Sequence, residues 1–538
     1  VTRTDRPGAD VRVAPPAAAS GASHDGPLWR PAAAVGVGAT LLGLVGASGP
    51  SLWTDEAATV SAATRPWREL VAMARHLDAV HTLYYAFMHA WTAVLGTSEL
   101  ALRSASALAV GLLVAGTWVL AARLAGRGLA WWVAPVVLLL PRVAWAAVEA
   151  RPFAFAAAAA VWATVLLVAA LRRGGAGRWV GYAALLVLAV LLNLYALLVV
   201  GAHAVSVLLD ARSRAVVARW AVSAVAAVTA LAPFVVLSAG QAGQLGRHAL
   251  SAVDLVRNVV VNQWFLGETP TVYTRDAAVA AVAAAGAGAD GWWRPASVLL
   301  AGLAVLLVAA ALVRWVRARP VPDEVRAVLV WAVPWVLVPS VAVAGWAVLS
   351  HTYSARYLTF CAPAVALLLG AALRALRPSG LRVAAVVALL ACAAPVLVSQ
   401  RAENAKSGAD WREVAAVVGE SCAPGDGVYF APRAVPEGGS VRLTTRGVAV
   451  AYPEPFAGLV DVTLDADPLA TDDLVGRSVL LQDAGARLAG LDRLCVVRRH
   501  DLPDAVREAD DATLAADGWV VRDTWSGTLD EVVVLARG

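Results

Sequence analysis

Two adjacent carboxylates, Asp55 and Glu56, follow directly on an apolar block and open the stretch LWTDEAATVSAATRPW, which continues as ARHLDAVHTLYYAFMHAW. Neighbouring residues on a helix point in different directions. One carboxylate could therefore take a proton from a hydroxyl nucleophile while the other holds geometry. The plain alternative is that Thr54-Asp55-Glu56 caps a helix starting at Ala57, and both readings can hold together. Asp78, His81, Tyr84 and Tyr85 form a second polar group. The last three are spaced to lie on neighbouring helical faces, toward a cleft or the headgroup region, where tyrosines equally serve as interfacial anchors. His76 and His81, with the nearby acids, could in principle bind a divalent metal, although no spacing matches a known metal motif; no other cofactor is called for.

Two cations stand apart from the rest. The connections opposite the arginine-rich ones are nearly free of cations apart from Arg142, Arg151 and Arg356; Arg151 lies beside Glu149 and Arg356 between Tyr353 and Tyr357, each at a helix end. A guanidinium at a membrane surface is suited to gripping a phosphate that is itself anchored in lipid. A headgroup contact or a Glu149–Arg151 ion pair would account for the same placement.

These residues need elements to hold them, and the composition says which. Of 538 residues 59% are hydrophobic and only 15% charged, against about 25% charged in soluble domains. The apolar residues fall in blocks of about 20, the length that spans a bilayer as a helix. Eleven spans are expected, near 31–51, 101–122, 129–147, 152–171, 179–194, 195–210, 216–238, 296–313, 327–349, 357–373 and 383–399. The pair around Asn193 is the one place where a single bent helix would change the parity. Arginines mark alternate connections: Arg123 and Arg127; Arg172, Arg173 and Arg178; Arg212, Arg214 and Arg219; Arg314, Arg317, Arg319 and Arg326; Arg374, Arg377 and Arg382. With Arg3, Arg6, Arg12 and Arg30 they place the N-terminus in the cytoplasm. The first 28 residues read as a disordered tail, and the first apolar block as a retained anchor.

Three regions are then expected outside: 52–100, 239–295 and everything from about 400. The second carries Arg247, His248, Asn258, Gln263 and Glu268, a reasonable place for acceptor or lipid contacts. The region 401–538 has soluble character and reads as a small extracytoplasmic α/β domain. It has a helix at Asp410–Gly419 and strands at Gly427–Phe430, Ser478–Leu481, Leu494–Arg498 and Glu531–Ala536. Cys422 and Cys495 could form a disulfide there or remain free thiols; Cys361 and Cys392 lie in apolar spans as packing residues. Asp465-Ala466-Asp467 imitates the metal-holding DxD of nucleotide-sugar enzymes but falls in an Asp-rich stretch by chance. The formal charge of +5 comes from arginines between the apolar blocks rather than from one patch, so no nucleic-acid partner is expected. The lipid bilayer is.

Together these stretches resemble the GT-C superfamily of membrane glycosyltransferases, nearest the branch similar to bacterial protein O-mannosyltransferases and aminoarabinose transferases. The matching segments are Asp55–Glu56, DAVHTLYY at Asp78–Tyr85, ELALRSASAL at Glu99–Leu108, PRVAWAAVEARPF at Pro141–Phe153 and ARYLTFCAPAVALLLG at Ala355–Gly370. The chain departs from many relatives in lacking prolines after the histidine and in having Phe153 where a tyrosine is common. The resemblance implies a mainly α, polytopic bundle and a polyprenyl-phosphate-linked sugar donor. It implies transfer at the outer face to a glycan, glycolipid or protein acceptor, with inversion at the anomeric carbon; a hexose is the expected sugar, mannose the first candidate. Carried over residue by residue, Asp55 is the base and Glu56 an assisting or positioning acid. Arg151 and Arg356 stabilise the leaving phosphate, and His81 and Tyr85 shape the pocket. A transporter or lipid flippase is the competing class, but such proteins tend to show internal repeats and charges near the bilayer midplane. No repeat is apparent here, and the unusual charges sit at helix ends.

Overall fold

The computed structural model describes residues 27–211, 213–241, 243, 250–267, 291–318, 320–433 and 444–538. The expected tail with Arg3, Arg6 and Arg12, and Arg212, Arg247, His248, Glu268 and Arg319, lie outside the described residues.

Apolar stretches form helices because the backbone must satisfy its own hydrogen bonds in lipid. The first is α1 (Trp29–Leu44). After it come α2 (Thr54–Ala63), α3 (Trp67–His76) and α4 (Thr82–Leu95), all short and within the 52–100 region. The long α5 (Glu99–Ala125) begins where Ser98 accepts a bond from the Ala101 N–H and stops at Gly126, whose φ of 80° suits glycine. Next are α6 (Arg127–Leu139), α7 (Pro141–Ala147), α8 (Phe153–Arg173), α9 (Ala176–Leu192), α10 (Leu198–Asp210) and α11 (Arg214–Gly240). Beyond residue 290 lie α12 (Trp293–Arg317), α13 (Asp323–Ser350), α14 (Ala362–Ala375) and α15 (Ser379–Ser399). The eleven expected spans fall roughly on helices, although the first helix ends at Leu44 rather than residue 51. Among the described residues, seven helices are long and apolar enough to cross a membrane, or eight if the bent α6–α7 pair is one span. The chain is a multi-pass membrane protein with a mainly α bundle.

Two breaks matter for the site. Pro141 has no N–H to continue α6, and Leu140 before it is extended (ψ 114°), so the chain turns by 67° into α7. That turn delivers Glu149 and Arg151 at the head of α8. At Asn193 the backbone is extended (φ −154°, ψ 108°) and the side chain caps Tyr195 N–H at 3.1 Å while donating to Tyr357 O at 2.8 Å. Asn193 thus separates α9, packed on α8 and α11, from α10, packed on α13.

The C-terminal part begins with α16 (Trp411–Ser421). Its strands are β1 (Gly427–Ala431), β2 (Val460–Asp461), β3 (Leu464–Ala466), β4 (Arg477–Ser478), β5 (Arg493–Arg499), β6 (Trp519–Ser526) and β7 (Asp530–Arg537), with α17 (Asp504–Ala516) before β6. Five strands form one sheet in the order β2-β1-β5-β7-β6. β1 runs parallel to β2 and β5, and β7 antiparallel to β5 and β6. The strand expected at Ser478–Leu481 is only the two-residue β4, after which the chain turns into a short helical stretch from Leu481. Cys422 and Cys495 are joined, tying the end of α16 to β5. Asp467 of the DxD look-alike accepts the Leu469 N–H at 2.8 Å, an ordinary turn. At the foot of the sheet, Asp410 and Asp530 are fully buried together. Asp410 accepts the Leu529 and Asp530 N–H groups at 2.9 and 3.2 Å, and Asp530 accepts the Trp411 indole at 3.0 Å.

The sheet region and the 52–100 region share one hydrophobic core. Leu52, Ala57, Tyr84, Tyr85 and Leu102 are buried in the same cluster as Val414, Phe430, Cys495 and Val532. Direct bonds reinforce it: Tyr452 Oη accepts the Leu52 N–H at 2.8 Å, Ser61 donates to Leu474 O at 2.7 Å, and Arg412 pairs with Glu99 at 2.9 Å. These regions therefore lie at one end of the bundle.

Candidate active site

The helix carrying the acidic pair starts at Thr54, with Trp53 as its N-cap residue and no side-chain cap bond. Capping therefore does not occupy Asp55 or Glu56. They stand in the first turn and diverge, as adjacent helical positions must.

Glu56 is entirely buried. Both its oxygens meet the Arg103 guanidinium, at 2.8 and 2.6 Å, and Oε1 also accepts the Ala150 N–H at 2.9 Å. Arg103, one of two arginines in a long apolar helix, donates further to the carbonyls of Ala47, Pro50 and Ser51. Burial works to raise the Glu56 carboxyl, but Arg103, Lys406 and the Ala150 N–H outweigh it and hold it below the usual carboxylate range. Glu56 is thus committed to locking α2 onto α5 and onto the α7–α8 connection. Of the two roles expected for Glu56, assisting or positioning, this enclosure fits the positioning one.

Asp55 faces the other way. Its Oδ2 lies 2.5 Å from a terminal nitrogen of Arg356, with side-chain exposures of 5% and 13%. Arg151 donates to the Asp55 carbonyl at 3.3 Å and to Tyr85 Oη at 3.1 Å, and Tyr85 donates to Asp78 Oδ2 at 2.7 Å. Asp78 holds a left-handed backbone (φ 54°), rare for a residue with a side chain. His81 stands with its ring 5.9 Å from Tyr85. Desolvation and the adjacent Arg151 push His81 down to about 3, so it is neutral at physiological pH. Tyr84 turns toward Phe155 (ring centroids 5.7 Å apart) and is packing. Tyr357 stacks on Tyr195 at 4.6 Å rather than on Asp55.

Glu149 does not pair with Arg151. It pairs with Lys406, the one lysine of the chain, and its Oε1 accepts the Trp53 indole N–H at 3.0 Å. Burial lifts its carboxyl to about 7 even against the pull of Lys406, with Glu56 adding to the rise. Trp53 and Phe153 flank the Arg356 guanidinium, each ring centroid 5.7 Å from it. In the second region Asn258 accepts from Asn262 at 2.6 Å, and Gln263 is buried between Ser340 and Tyr353. Among the described residues no group of three or more His, Cys, Asp or Glu side chains could hold a metal ion.

Arg103 and Lys406 were not singled out as site residues from the sequence. Both had a signal: an ionised group inside a 27-residue apolar helix needs a partner, and a lone lysine in an arginine-rich chain is anomalous.

The chain superposes on ArnT from Cupriavidus metallidurans bound to undecaprenyl phosphate over 93% of its own length and 97% of that chain, at 15% identity and a TM-score of 0.54. The fold is the GT-C fold of ArnT. The apo structure of ArnT matches over the same shares at 14% identity and a TM-score of 0.55. Because the ArnT alignment extends to nearly the whole of both chains, the C-terminal sheet belongs to the shared architecture together with the helices. No protein-family model matches the chain, and no curated protein does.

Proposed function

We propose that the chain is a glycosyltransferase that moves a hexose, with mannose the first candidate, from a polyprenyl phosphate to an acceptor hydroxyl. The reading is supported chiefly by the Asp55–Arg356 pair at 2.5 Å with Arg151 alongside: a proton acceptor and two phosphate-competent cations converge in a fold like that of ArnT, which binds undecaprenyl phosphate. The arginine alternation supports an outer-face location for this end of the bundle, with the N-terminus in the cytoplasm and residues 401–538 outside.

In this mechanism the donor phosphate enters beside Arg356 and Arg151 and shares Arg356 with Asp55. A guanidinium divided between two anions holds Asp55 Oδ2 less tightly, leaving that oxygen to accept the hydroxyl proton. The acceptor oxygen attacks the anomeric carbon as the bond from that carbon to the phosphate oxygen breaks. The proton passes to Asp55, and the polyprenyl phosphate departs with the bonding electron pair, its charge met by guanidinium groups already in place. A single in-line displacement inverts the anomeric centre. Tyr85, held between Arg151 and Asp78, and neutral His81 line the sugar side. A glycan, glycolipid or protein can supply the hydroxyl.

Purified protein in lipid, given polyprenyl-phosphoryl mannose and labelled envelope extracts, tests the reading. Labelled product and released polyprenyl phosphate are expected; silence with mannosyl and other hexosyl donors alike would remove the assignment.

A further inference from the structure

Lys406 occupies a place that a surface lysine never would. Its side chain is 1% exposed, as is that of its partner Glu149. The ammonium also lies 5.4 Å from the Trp145 ring centroid. A buried charge is tolerated only with a partner, and removing that partner is strongly destabilising. The segment that delivers it, residues 401–410 between α15 and α16, is anchored on both sides. Ser51 N–H bonds to Glu403 O at 2.9 Å, Asn404 donates to Thr528 at 2.8 Å, and Arg401 donates to Val45 O at 3.2 Å. Gly49 lies so close that a Cβ there would stand 2.4 Å from the Arg401 carbonyl oxygen. Ser407 and Gly408 both take left-handed backbone (φ 57° and 79°), a conformation that serine rarely adopts, and they fold the chain back just after Lys406.

From Lys406 a continuous set of contacts leads to the reactive end. Glu149 receives the lysine on one oxygen and the Trp53 indole on the other, Trp53 flanks Arg356, and Arg356 holds Asp55. We propose that Lys406 is a positioning residue for the donor-phosphate grip, fixing Arg356 through Glu149 and Trp53, so that the strap after the last membrane helix completes the site. The inference rests on Arg356 as the phosphate-binding residue. It explains why a lysine is carried here and nowhere else: the lone ammonium settles the Glu149 carboxylate, and Glu149 then orients the indole edge.

The single lysine also makes the test specific. Full-length protein labelled with 13Cε-lysine, in lipid nanodiscs, gives one lysine side-chain resonance. Adding undecaprenyl phosphate is expected to move that resonance in wild type and to leave it still in Arg356→Ala. Retention of radiolabelled undecaprenyl phosphate by the nanodiscs reports binding separately. If the lipid is retained while the lysine signal stays unchanged, the proposal fails and the phosphate reading survives; if wild type retains no lipid, the phosphate reading fails and takes the proposal with it. Lys406→Met should weaken retention by roughly tenfold, within the usual range of coupling between linked sites. The double variant Lys406→Met/Glu149→Gln, which keeps an acceptor for Trp53 without an orphaned charge, should recover most of that loss. A double variant as weak as the single one would show a packing role only and overturn the proposal.

Discussion

The surroundings of Asp55 and Glu56 differ more than one step along a helix would suggest. Around Glu56 everything is closed: both carboxylate oxygens and the Arg103 guanidinium are occupied, and neither side chain reaches solvent. Asp55 pairs with a slightly exposed arginine flanked by two aromatic rings. A fully saturated, dry pair can only hold a structure. A pair that keeps some exposure can change partners. The contrast fits a structural part for Glu56 and leaves Asp55 the acid proposed for the chemistry.

The sharpest way to break that contrast is to neutralise each acid in turn. Asp55→Asn should reduce transfer by about 10⁴-fold, the upper range for loss of a general base, while thermal melting in detergent stays near wild type; wild-type turnover would remove Asp55 from the mechanism. Glu56→Gln should show the reverse. It strands a buried guanidinium and costs about 3–5 kcal/mol of stability, read as a large drop in melting temperature and in yield; a stable but inactive Glu56→Gln protein would erase the distinction. Arg356→Ala should weaken undecaprenyl phosphate binding about 100-fold, with much less effect on acceptor affinity, since the interaction lost is to a charged phosphate. Equal loss of both would make Arg356 structural, like Arg103.

The smallest effect concerns a buried pair of carboxyls, Asp410 and Asp530, where burial prevails over the pull of the nearby Arg499. Burial raises Asp530 well above the ordinary value, with Asp410 pushing the same way, and burial likewise raises Asp410. A folded-state value above the unfolded one gives stability that is complete at low pH and lost as pH climbs through the raised value. Stability should therefore fall by about 1 kcal/mol per pH unit for one proton as pH rises from the ordinary carboxyl range to the raised value, read as a declining melting temperature. In Asp530→Asn that slope should flatten; an unchanged slope would place the titration elsewhere.

Much of this was legible in the chain. Apolar block length is imposed by the bilayer, so the expected spans fall on helices. β1, β5 and β7 also follow their apolar runs. β6 and α17 were not anticipated. β6 is largely exposed along WVVRDTWS, and α17 is rich in acids, so neither shows a sustained apolar face. At the site, the types and order of Asp55, Asp78, Tyr85, Arg151 and Arg356 were readable, because unusual charges at helix ends stand out. Pairings were not. Glu56 with Arg103 and Glu149 with Lys406 are separated by 47 and 257 residues, and nothing local signals which distant cation meets which acid.

The core that Leu52, Tyr84 and Leu102 share with Phe430, Cys495 and Val532 also has a consequence in time. During synthesis the segment holding Asp55 emerges more than 300 residues before the strands that cover it. Most of the membrane helices must be inserted while its apolar side chains wait without their final partners. Contacts of such long sequence separation form late and slowly. The acidic helix therefore acquires its lasting shape only near the end of assembly, and an incompletely made chain carries the chemical groups without the enclosure that gives them purpose.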